Sequence, residues 1–160
     1  MDITLQVERV GDWDHVRYLG PINEDSEVHL APLLEHLGPN VIFNFSKVEY
    51  VNSCGVRAWI TFLREMEKNR NVIFEECTPE IVGQINMIPN FKGSSHIRSV
   101  YASYSCTHCD FQKWFLFEEG RNMPTADLSS GIAEVKCDKC KNTMEMDELE
   151  DEFFSWLEAG

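Results

Sequence analysis

The chain has 160 residues, of which 43% are hydrophobic and 26% are charged, and its formal net charge at pH 7 is −13. This size fits one globular domain with room for a small second one, and the acidic balance argues against nonspecific binding to nucleic-acid phosphates, which depends on Lys and Arg. No apolar run approaches the roughly 20 residues of a membrane span, and the first residues lack the layout of a signal peptide, so we expect a cytoplasmic protein.

The first ninety residues alternate strand and helix patterns. Residues 3–9 and 16–19 predict a β-hairpin, and residues 28–37 have helical spacing, with regular helix beginning only near Ala31 because of Pro32. Short apolar runs at residues 41–43 and 72–74 predict buried strands, and a helix pattern follows each of them. The order β-β-α-β-α-β-α predicts an α/β fold, a mixed sheet with helices packed on it.

The composition changes from Ile97, where aromatic strand patterns at residues 100–104 and 111–117 precede a long polar loop at residues 118–130. A last short strand is predicted near residues 143–146. We therefore expect two domains, residues 1–96 and 97–160. The flexible stretch Gly93-Ser94-Ser95 lies at the boundary.

Two C-x-x-C pairs lie in the second part, formed by Cys106, Cys109, Cys137 and Cys140. Paired thiolates supply two ligands from one tight turn, so two pairs complete a tetrahedral sulfur site, and the pattern resembles a zinc ribbon. Four protein ligands leave no position for water, which predicts a structural Zn²⁺. The interval between the pairs exceeds the usual roughly 15–20 residues, and the loop 118–130 absorbs the difference. A dithiol redox pair is the competing interpretation.

The segment from Asp147 is acidic, with apolar residues at helical spacing. This pattern predicts an acidic amphipathic C-terminal helix that packs its apolar side on the protein itself. The alternative is a helix that another chain binds.

The turn Asn52-Ser53-Cys54-Gly55 lies between an apolar strand and a helix whose first residues offer free backbone N–H groups. Two segments match a known family. The sequence GPI at residues 20–22 stands for the family's Gly-x-Leu/Ile, and VEYVNSCGV at residues 48–56 stands for Val-x-Phe/Tyr-Ile/Met-Asp-Ser-Ser/Thr-Gly-Leu. Residues 1–95 therefore resemble STAS domains, the bacterial anti-sigma factor antagonists.

The resemblance implies a regulatory phosphoprotein whose acceptor is Ser53 and whose partner is a serine kinase that doubles as an anti-sigma factor. It places partner docking at Asn52, Ser53, Cys54 and Gly55. Two residues depart from the family pattern, since Asn52 replaces an aspartate and Cys54 replaces a hydroxyl residue. A constitutive docking module that is never phosphorylated is therefore the alternative.

Other interpretations remain open at this stage. Ser53 can be an ordinary helix N-cap, and Cys54 and Cys77 can be buried small apolar residues. A zinc ribbon that binds nucleic acid is a weaker hypothesis, favoured only by three lysines near the second C-x-x-C pair, Lys136, Lys139 and Lys141. We find no open metal site and no supported nucleophile–base pair, so we do not expect an enzyme.

Overall fold

The structure is a computed structural model that describes residues 2–159. In this part of the chain one sheet has the strand order β1-β2-β3-β4-β5 and another has the order β7-β6-β8. The elements are β1 (Thr4–Val10), β2 (Trp13–Ile22), α1 (Ser26–Leu30), β3 (Asn40–Val51), α2 (Ser53–Glu67), β4 (Asn71–Glu75), α3 (Pro79–Met87), α4 (Pro89–Lys92), β5 (His96–Ile97), β6 (Ser99–Ser105), β7 (Gln112–Glu118), β8 (Glu145–Met146) and α5 (Glu150–Phe153). Within residues 2–159, no helix is long and apolar enough to cross a membrane.

The five-stranded sheet is mixed, as the sequence predicts. β1 and β2 form an antiparallel hairpin, and β2 to β5 pair in parallel. β3 is much longer than its apolar run, because it stays paired with β2 as far as Ile22 and Val51. Its polar middle does not end the strand, since Asn44 donates to the carboxylates of Glu75 and Glu76 at 2.9 and 2.6 Å.

Helix α2 packs its apolar side on this sheet through a cluster of aromatic rings centred on Trp59. The Trp59 ring is fully buried and lies 5.2 Å from Phe43 and 5.4 Å from Phe45, edge to face in both cases. Its indole N–H donates to the Phe91 carbonyl at 2.9 Å, so the buried polar atom is satisfied. Each such aromatic pair contributes about 0.5–1.5 kcal/mol beyond burial of its area. This cluster fixes α2 on the sheet.

The predicted helix at residues 28–37 is shorter and differently built. Regular α-helix occupies Ser26–Leu30, and a 3₁₀ turn follows at Ala31–Glu35 with Pro32 in its first positions. The prediction that regular helix begins near Ala31 was therefore wrong. Proline lacks the N–H that an α-helical bond at this position needs, so the chain continues in the tighter turn.

The second sheet is joined to the first where Cys77, just after β4, pairs with β6. The Cys77 N–H donates to the Ser99 carbonyl at 3.2 Å, and the Tyr101 N–H donates to the Cys77 carbonyl at 2.8 Å. One continuous cluster of buried apolar residues extends from the first sheet to the second. The predicted division at residue 96 falls at β5, where the chain changes sheets, and the division into two domains stays a prediction.

The segment predicted to be loosest is held by hydrogen bonds. The Glu67 carboxylate accepts from the backbone N–H and the hydroxyl of Ser94, both at 2.8 Å, and from the Ser95 hydroxyl at 3.1 Å. Gly93 has a φ of +56°, which favours glycine. A serine-rich sequence therefore forms a fixed connection here, because a helix carboxylate accepts its donors.

The acidic C-terminal segment forms one turn of α-helix, α5, and a 3₁₀ turn at Ser155–Ala159. Phe153 and Phe154 are buried, and Phe154 packs edge to face on Phe117 of β7 at 5.1 Å. The Asn86 amide of α3 donates to the carbonyls of Glu152 and Phe153. The segment thus packs on its own chain, as the main prediction states, although Leu149 stays 65% exposed.

Candidate functional site

Helix α2 begins at a capped turn, and the capping residue is Asn52. Its backbone is extended, and its side-chain oxygen accepts from the Gly55 N–H at 2.9 Å. The Asn52 amide NH₂ donates to the Glu24 carboxylate at 2.9 Å, and this hydrogen bond is the main cause that lowers the pKa of Glu24. The interpretation of Ser53 as the N-cap was therefore wrong. Sequence reasoning also missed Glu24, for which a single sequence offers no signal.

Ser53 is the first residue of α2 and its side chain is exposed. Among the described residues no group hydrogen-bonds to its hydroxyl. Cys54 is exposed as well, so the prediction of a buried thiol was wrong there, whereas Cys77 is buried and burial raises the pKa of its thiol. Of the N–H groups of this first turn, that of Gly55 is bonded to the Asn52 side chain, and those of Ser53 and Cys54 have no intrahelical acceptor. The turn thus presents a free hydroxyl beside free amide donors.

Gly55 fixes the position of the turn by direct backbone contact. A Cβ at this residue would lie 2.0 Å from the carbonyl oxygen of Ile22 and 2.5 Å from the backbone nitrogen of Asn23. The Asn52 N–H donates to the same Ile22 carbonyl at 3.0 Å. The motifs at residues 20–22 and 52–55 therefore meet in space, which explains why the second one needs a glycine.

Gly55 contacts the loop at Ile22 and Asn23, and hydrogen bonds from buried polar groups hold this loop in place. The Tyr18 hydroxyl donates to the Pro21 carbonyl at 2.8 Å and lies 2.7 Å from the Ser26 hydroxyl. The Ser26 oxygen accepts from the Asn23 N–H at 2.8 Å. Gly20 has a φ of +109° and packs on the backbone of Asp2, with no space for a side chain. The helix start therefore rests on a rigid support.

A groove of about 360 Å³ lies between α2, α1 and the following 3₁₀ turn, with Cys54 at one end. Apolar side chains form much of its lining, namely Leu30, Ala31, Leu34, Ala58 and Phe62. Charged side chains line the remainder, namely Glu24, Glu27, Arg57 and Glu65. A partner that contacts the α2 start would meet this groove directly.

The four predicted metal ligands converge in two turns beside the second sheet. Their sulfur atoms all lie within 4.8 Å of one another, and none forms a disulfide. The Sγ atoms of Cys106 and Cys140 are 3.4 Å apart, and those of Cys109 and Cys137 are 3.5 Å apart. Four converging thiols fit a tetrahedral metal site, so this cluster can hold a metal ion.

The two C-x-x-C turns have the same backbone geometry. The N–H of Cys106 donates to the Phe111 carbonyl, and the N–H of Cys137 donates to the Asn142 carbonyl, each at 2.8 Å and each five residues along. Asp110, four residues after Cys106, has a positive φ of +64°. Lys141, four residues after Cys137, has a positive φ of +67°. Two independent segments thus adopt one turn that aims its thiols at a common point.

Amide donors at the second turn favour the thiolate form. The Asn142 backbone N–H, and then its side-chain amide, lower the pKa of the Cys140 thiol to about 6. That amide lies 3.3 Å from the Cys140 sulfur, and the Lys139 N–H donates to the Cys137 sulfur at 3.4 Å. Because a metal binds thiolates, these donors support the cluster as a metal site.

The three lysines near the second turn make contacts within the chain. Lys136 forms an ion pair with Glu134 at 2.7 Å, and the Lys141 ammonium donates to the Asp138 carbonyl at 3.2 Å. Lys139 lies over the Phe111 ring, 5.5 Å from its centroid. Within residues 2–159, only Lys136 of the three is paired with an acid of the chain, and binding of nucleic acid by these lysines stays a hypothesis.

Asn52→Asp is expected to keep the cap and to raise the pKa of Glu24. Aspartate caps a helix as well as asparagine does, but a carboxylate then faces Glu24 where an amide now donates to it. Carbon-detected NMR titration of the Glu24 carboxyl measures the change. In the control Asn52→Ala, the free energy of unfolding should fall by about 1 kcal/mol, because the cap is lost. A Glu24 pKa that is the same in the native chain and in Asn52→Asp would contradict the observed contact.

Comparisons with known proteins bear on the fold alone. A crystal structure of an anti-sigma factor antagonist from Mycobacterium paratuberculosis matches with a TM-score of 0.50 and 17% identity, over 60% of this chain and 85% of that one. The unphosphorylated form of the anti-sigma factor antagonist SpoIIAA matches with a TM-score of 0.45 and 19% identity, over 55% and 83% of the two chains. No protein-family model and no curated protein matches the sequence. The first of these structures shows the STAS fold, which confirms the predicted fold class.

Proposed function

We propose that this protein is a regulatory protein-binding module of the anti-sigma factor antagonist type, which docks a signalling partner through the start of α2. One observation carries the proposal: Ser53 presents an exposed hydroxyl with no partner among the described residues, at a helix start held rigidly by Gly55 and Ile22. The docking residues are Asn52, Ser53 and Cys54, with Gly55 positioning them. The partner class is a serine kinase that also acts as an anti-sigma factor.

Phosphorylation of Ser53 is the proposed switch. A phosphate adds nearly two negative charges at neutral pH and can accept from the free N–H groups of the first helical turn. Folding is therefore preserved, whereas the surface beside the groove becomes strongly negative. A phosphate beside the carboxylates Glu24 and Glu27 would add like-charge repulsion within this surface and a desolvation cost to any interface formed on it, so it would weaken docking.

We also propose that the metal of the thiol cluster is Zn²⁺ with a structural role. Four sulfur ligands suit zinc, and they leave no open coordination position for a substrate. Free thiols in this number indicate a reducing compartment, which supports the cytoplasm as the place of action. A docking turn together with a metal site that has no open coordination position supports a regulatory role for this protein, and not a catalytic one.

Ser53→Asp is expected to weaken partner docking by about tenfold or more, and Ser53→Ala is expected to preserve it, because only the first adds charge at the helix start. The partner is first isolated from the source cells with the native chain, and its affinity for each variant is then measured by calorimetry. Ser130→Asp, an exposed serine in the loop after β7, is the matched control and should bind as the native chain does.

Phosphopeptide mass spectrometry of residues 50–57, on protein isolated under growth and stress, tests the modification itself. Phosphate on Ser53 that changes with condition supports the switch. The contrary result has two parts: Ser53→Asp and Ser53→Ala dock the partner equally well, and the peptide of residues 50–57 is always unmodified. Together they would support a constitutive docking module and would remove the switch from the proposal.

A further inference from the structure

Arg57 lies on α2 one turn after Ser53, at the edge of the groove beside the docking turn. Its side chain is exposed, and within residues 2–159 it forms no ion pair and no hydrogen bond. The other charged side chains that line the groove are carboxylates, namely Glu24, Glu27 and Glu65. Of the described residues in this lining, Arg57 is thus the one cation, and it lies next to the proposed docking turn.

The acids of the groove do not neutralise this guanidinium. Glu24 accepts from the Asn52 amide at 2.9 Å. Glu65 is paired with Lys68, also at 2.9 Å. Glu27 lies in the first turn of α1 and forms no ion pair within the described part of the chain. The charge of the guanidinium is therefore available to a group that the unmodified chain does not supply.

The spacing between Ser53 and Arg57 suits an ion pair. Residues four apart along an α-helix are neighbours on its surface, with Cβ atoms about 5–6 Å apart. An anion on the earlier residue and a cation on the later one is the favourable order, because each charge then complements its end of the helix dipole. A guanidinium can also donate to two phosphate oxygens at once. A phosphate on Ser53 would therefore have a counter-ion on the same helix.

We propose that Arg57 is a docking residue that binds a carboxylate of the partner, and that a phosphate on Ser53 competes with this carboxylate for the guanidinium. In the unmodified chain the guanidinium donates to the acidic side chain of the partner at the groove. In the phosphorylated chain it donates to the phosphate oxygens, so the charged lining of the groove that remains for the partner consists of carboxylates.

This inference rests on the proposed switch at Ser53 and adds the group through which the switch acts. In that switch the kinase transfers the terminal phosphoryl group of a nucleoside triphosphate to the Ser53 oxygen, and the nucleoside diphosphate and the hydroxyl proton are released. The phosphate is partly neutralised by Arg57, and docking loses the contact that Arg57 made with the partner.

The ion pair is tested without the partner. Phosphoserine is incorporated at position 53 of the full chain during synthesis, and its second pKa, ordinarily about 6, is measured by phosphorus NMR titration. Arg57→Gln should raise this pKa by about 0.3, because the cation that stabilises the doubly charged phosphate is removed. Arg64→Gln removes an exposed arginine of α2 outside the groove lining, and this matched control should leave the pKa unchanged. An equal pKa in the native and Arg57→Gln chains would overturn the pairing.

A double-mutant cycle tests the competition. The affinity for the partner isolated with the native chain is measured by calorimetry for Ser53→Asp, Arg57→Gln and the double variant. Arg57→Gln alone should weaken docking about tenfold, because charge-assisted hydrogen bonds to the partner's carboxylate are lost. Ser53→Asp should then weaken docking less in the Arg57→Gln chain than in the native chain, because the guanidinium for which the two carboxylates compete is already absent.

The outcomes of the cycle separate this inference from the proposed function. If Ser53→Asp weakens docking by the same factor with and without Arg57, the switch is retained and the role of Arg57 is refuted. Arg57→Gln that docks as tightly as the native chain would likewise show that the partner does not bind the guanidinium. If the native chain docks no partner, the proposed function fails, and the docking role of Arg57 fails with it.

Discussion

Gly55→Ala is expected to destabilise the folded chain by about 3–5 kcal/mol, at the upper end of single substitutions. The added methyl group would lie 2.0 Å from the Ile22 carbonyl oxygen, far inside contact distance. Both partners of this clash are backbone, so no side chain can rotate away. Helix α2 would have to move off the loop at residues 20–23 and disturb the packing of Trp59 on the sheet.

Urea unfolding monitored by tryptophan fluorescence measures this effect. Gly83→Ala is the matched control, because Gly83 also lies within a helix, α3, and nothing lies within 4 Å of its added Cβ. There the same substitution should stabilise the fold by up to about 1 kcal/mol, since alanine favours helix over glycine. Similar unfolding free energies for the two variants would show that the backbone contact at Gly55 does not constrain the helix.

Cys137→Ser is expected to abolish tight zinc binding and to disorder the second sheet around the thiol cluster. Serine replaces the thiolate ligand with a hydroxyl, a poor ligand for this metal, and three cysteines remain. Structural zinc sites bind with apparent free energies of about 10 kcal/mol or more, and this energy supports the local fold. Cys137 is also buried, so a hydroxyl is placed among apolar groups.

Measurements of metal content and NMR spectra together test the predicted loss of zinc and of local structure in Cys137→Ser. The native chain should hold one zinc ion, and chelation or Cys137→Ser should broaden or shift the amide signals of residues 104–146. The control Cys54→Ser changes an exposed cysteine outside the cluster and should keep both the metal and the spectrum. A Cys137→Ser chain that retains its zinc and an unaltered spectrum would contradict the proposed ligand set.

The strands β1 to β4 and the helices α2 and α3 could be predicted because their signals are local, whereas the two-residue strand β5 could not. Thr78 and Pro79 mark a helix start by capping and by fixed φ, and the structure has the predicted cap, with the Ile81 N–H donating to the Thr78 hydroxyl. Alternating and helical apolar spacing similarly marked the strands and α2. The cysteine spacing identified the thiol cluster, because two turns of one kind can meet at one metal.

The features that were missed depend on contacts between distant residues. The length of β3 follows from its pairing with β2. The fixed backbone at Ser94 follows from its hydrogen bond to the carboxylate of Glu67, twenty-seven residues earlier. The role of Asn52 as cap depends on an extended backbone that a sequence alone does not specify. The exposure of Cys54 depends on which side of α2 faces the sheet. Each is a tertiary effect, and local propensity does not report it.

The contacts of α3 have a consequence for how the molecule opens. This helix packs against β3 of the first sheet, and its Asn86 amide holds the C-terminal segment that covers the second. Opening of the second sheet would therefore expose apolar surface of α3 as well. The unit that opens and closes on the timescale of hydrogen exchange is thus larger than either sheet. A metal ion bound at the cysteines would therefore slow hydrogen exchange in α3, far from its ligands.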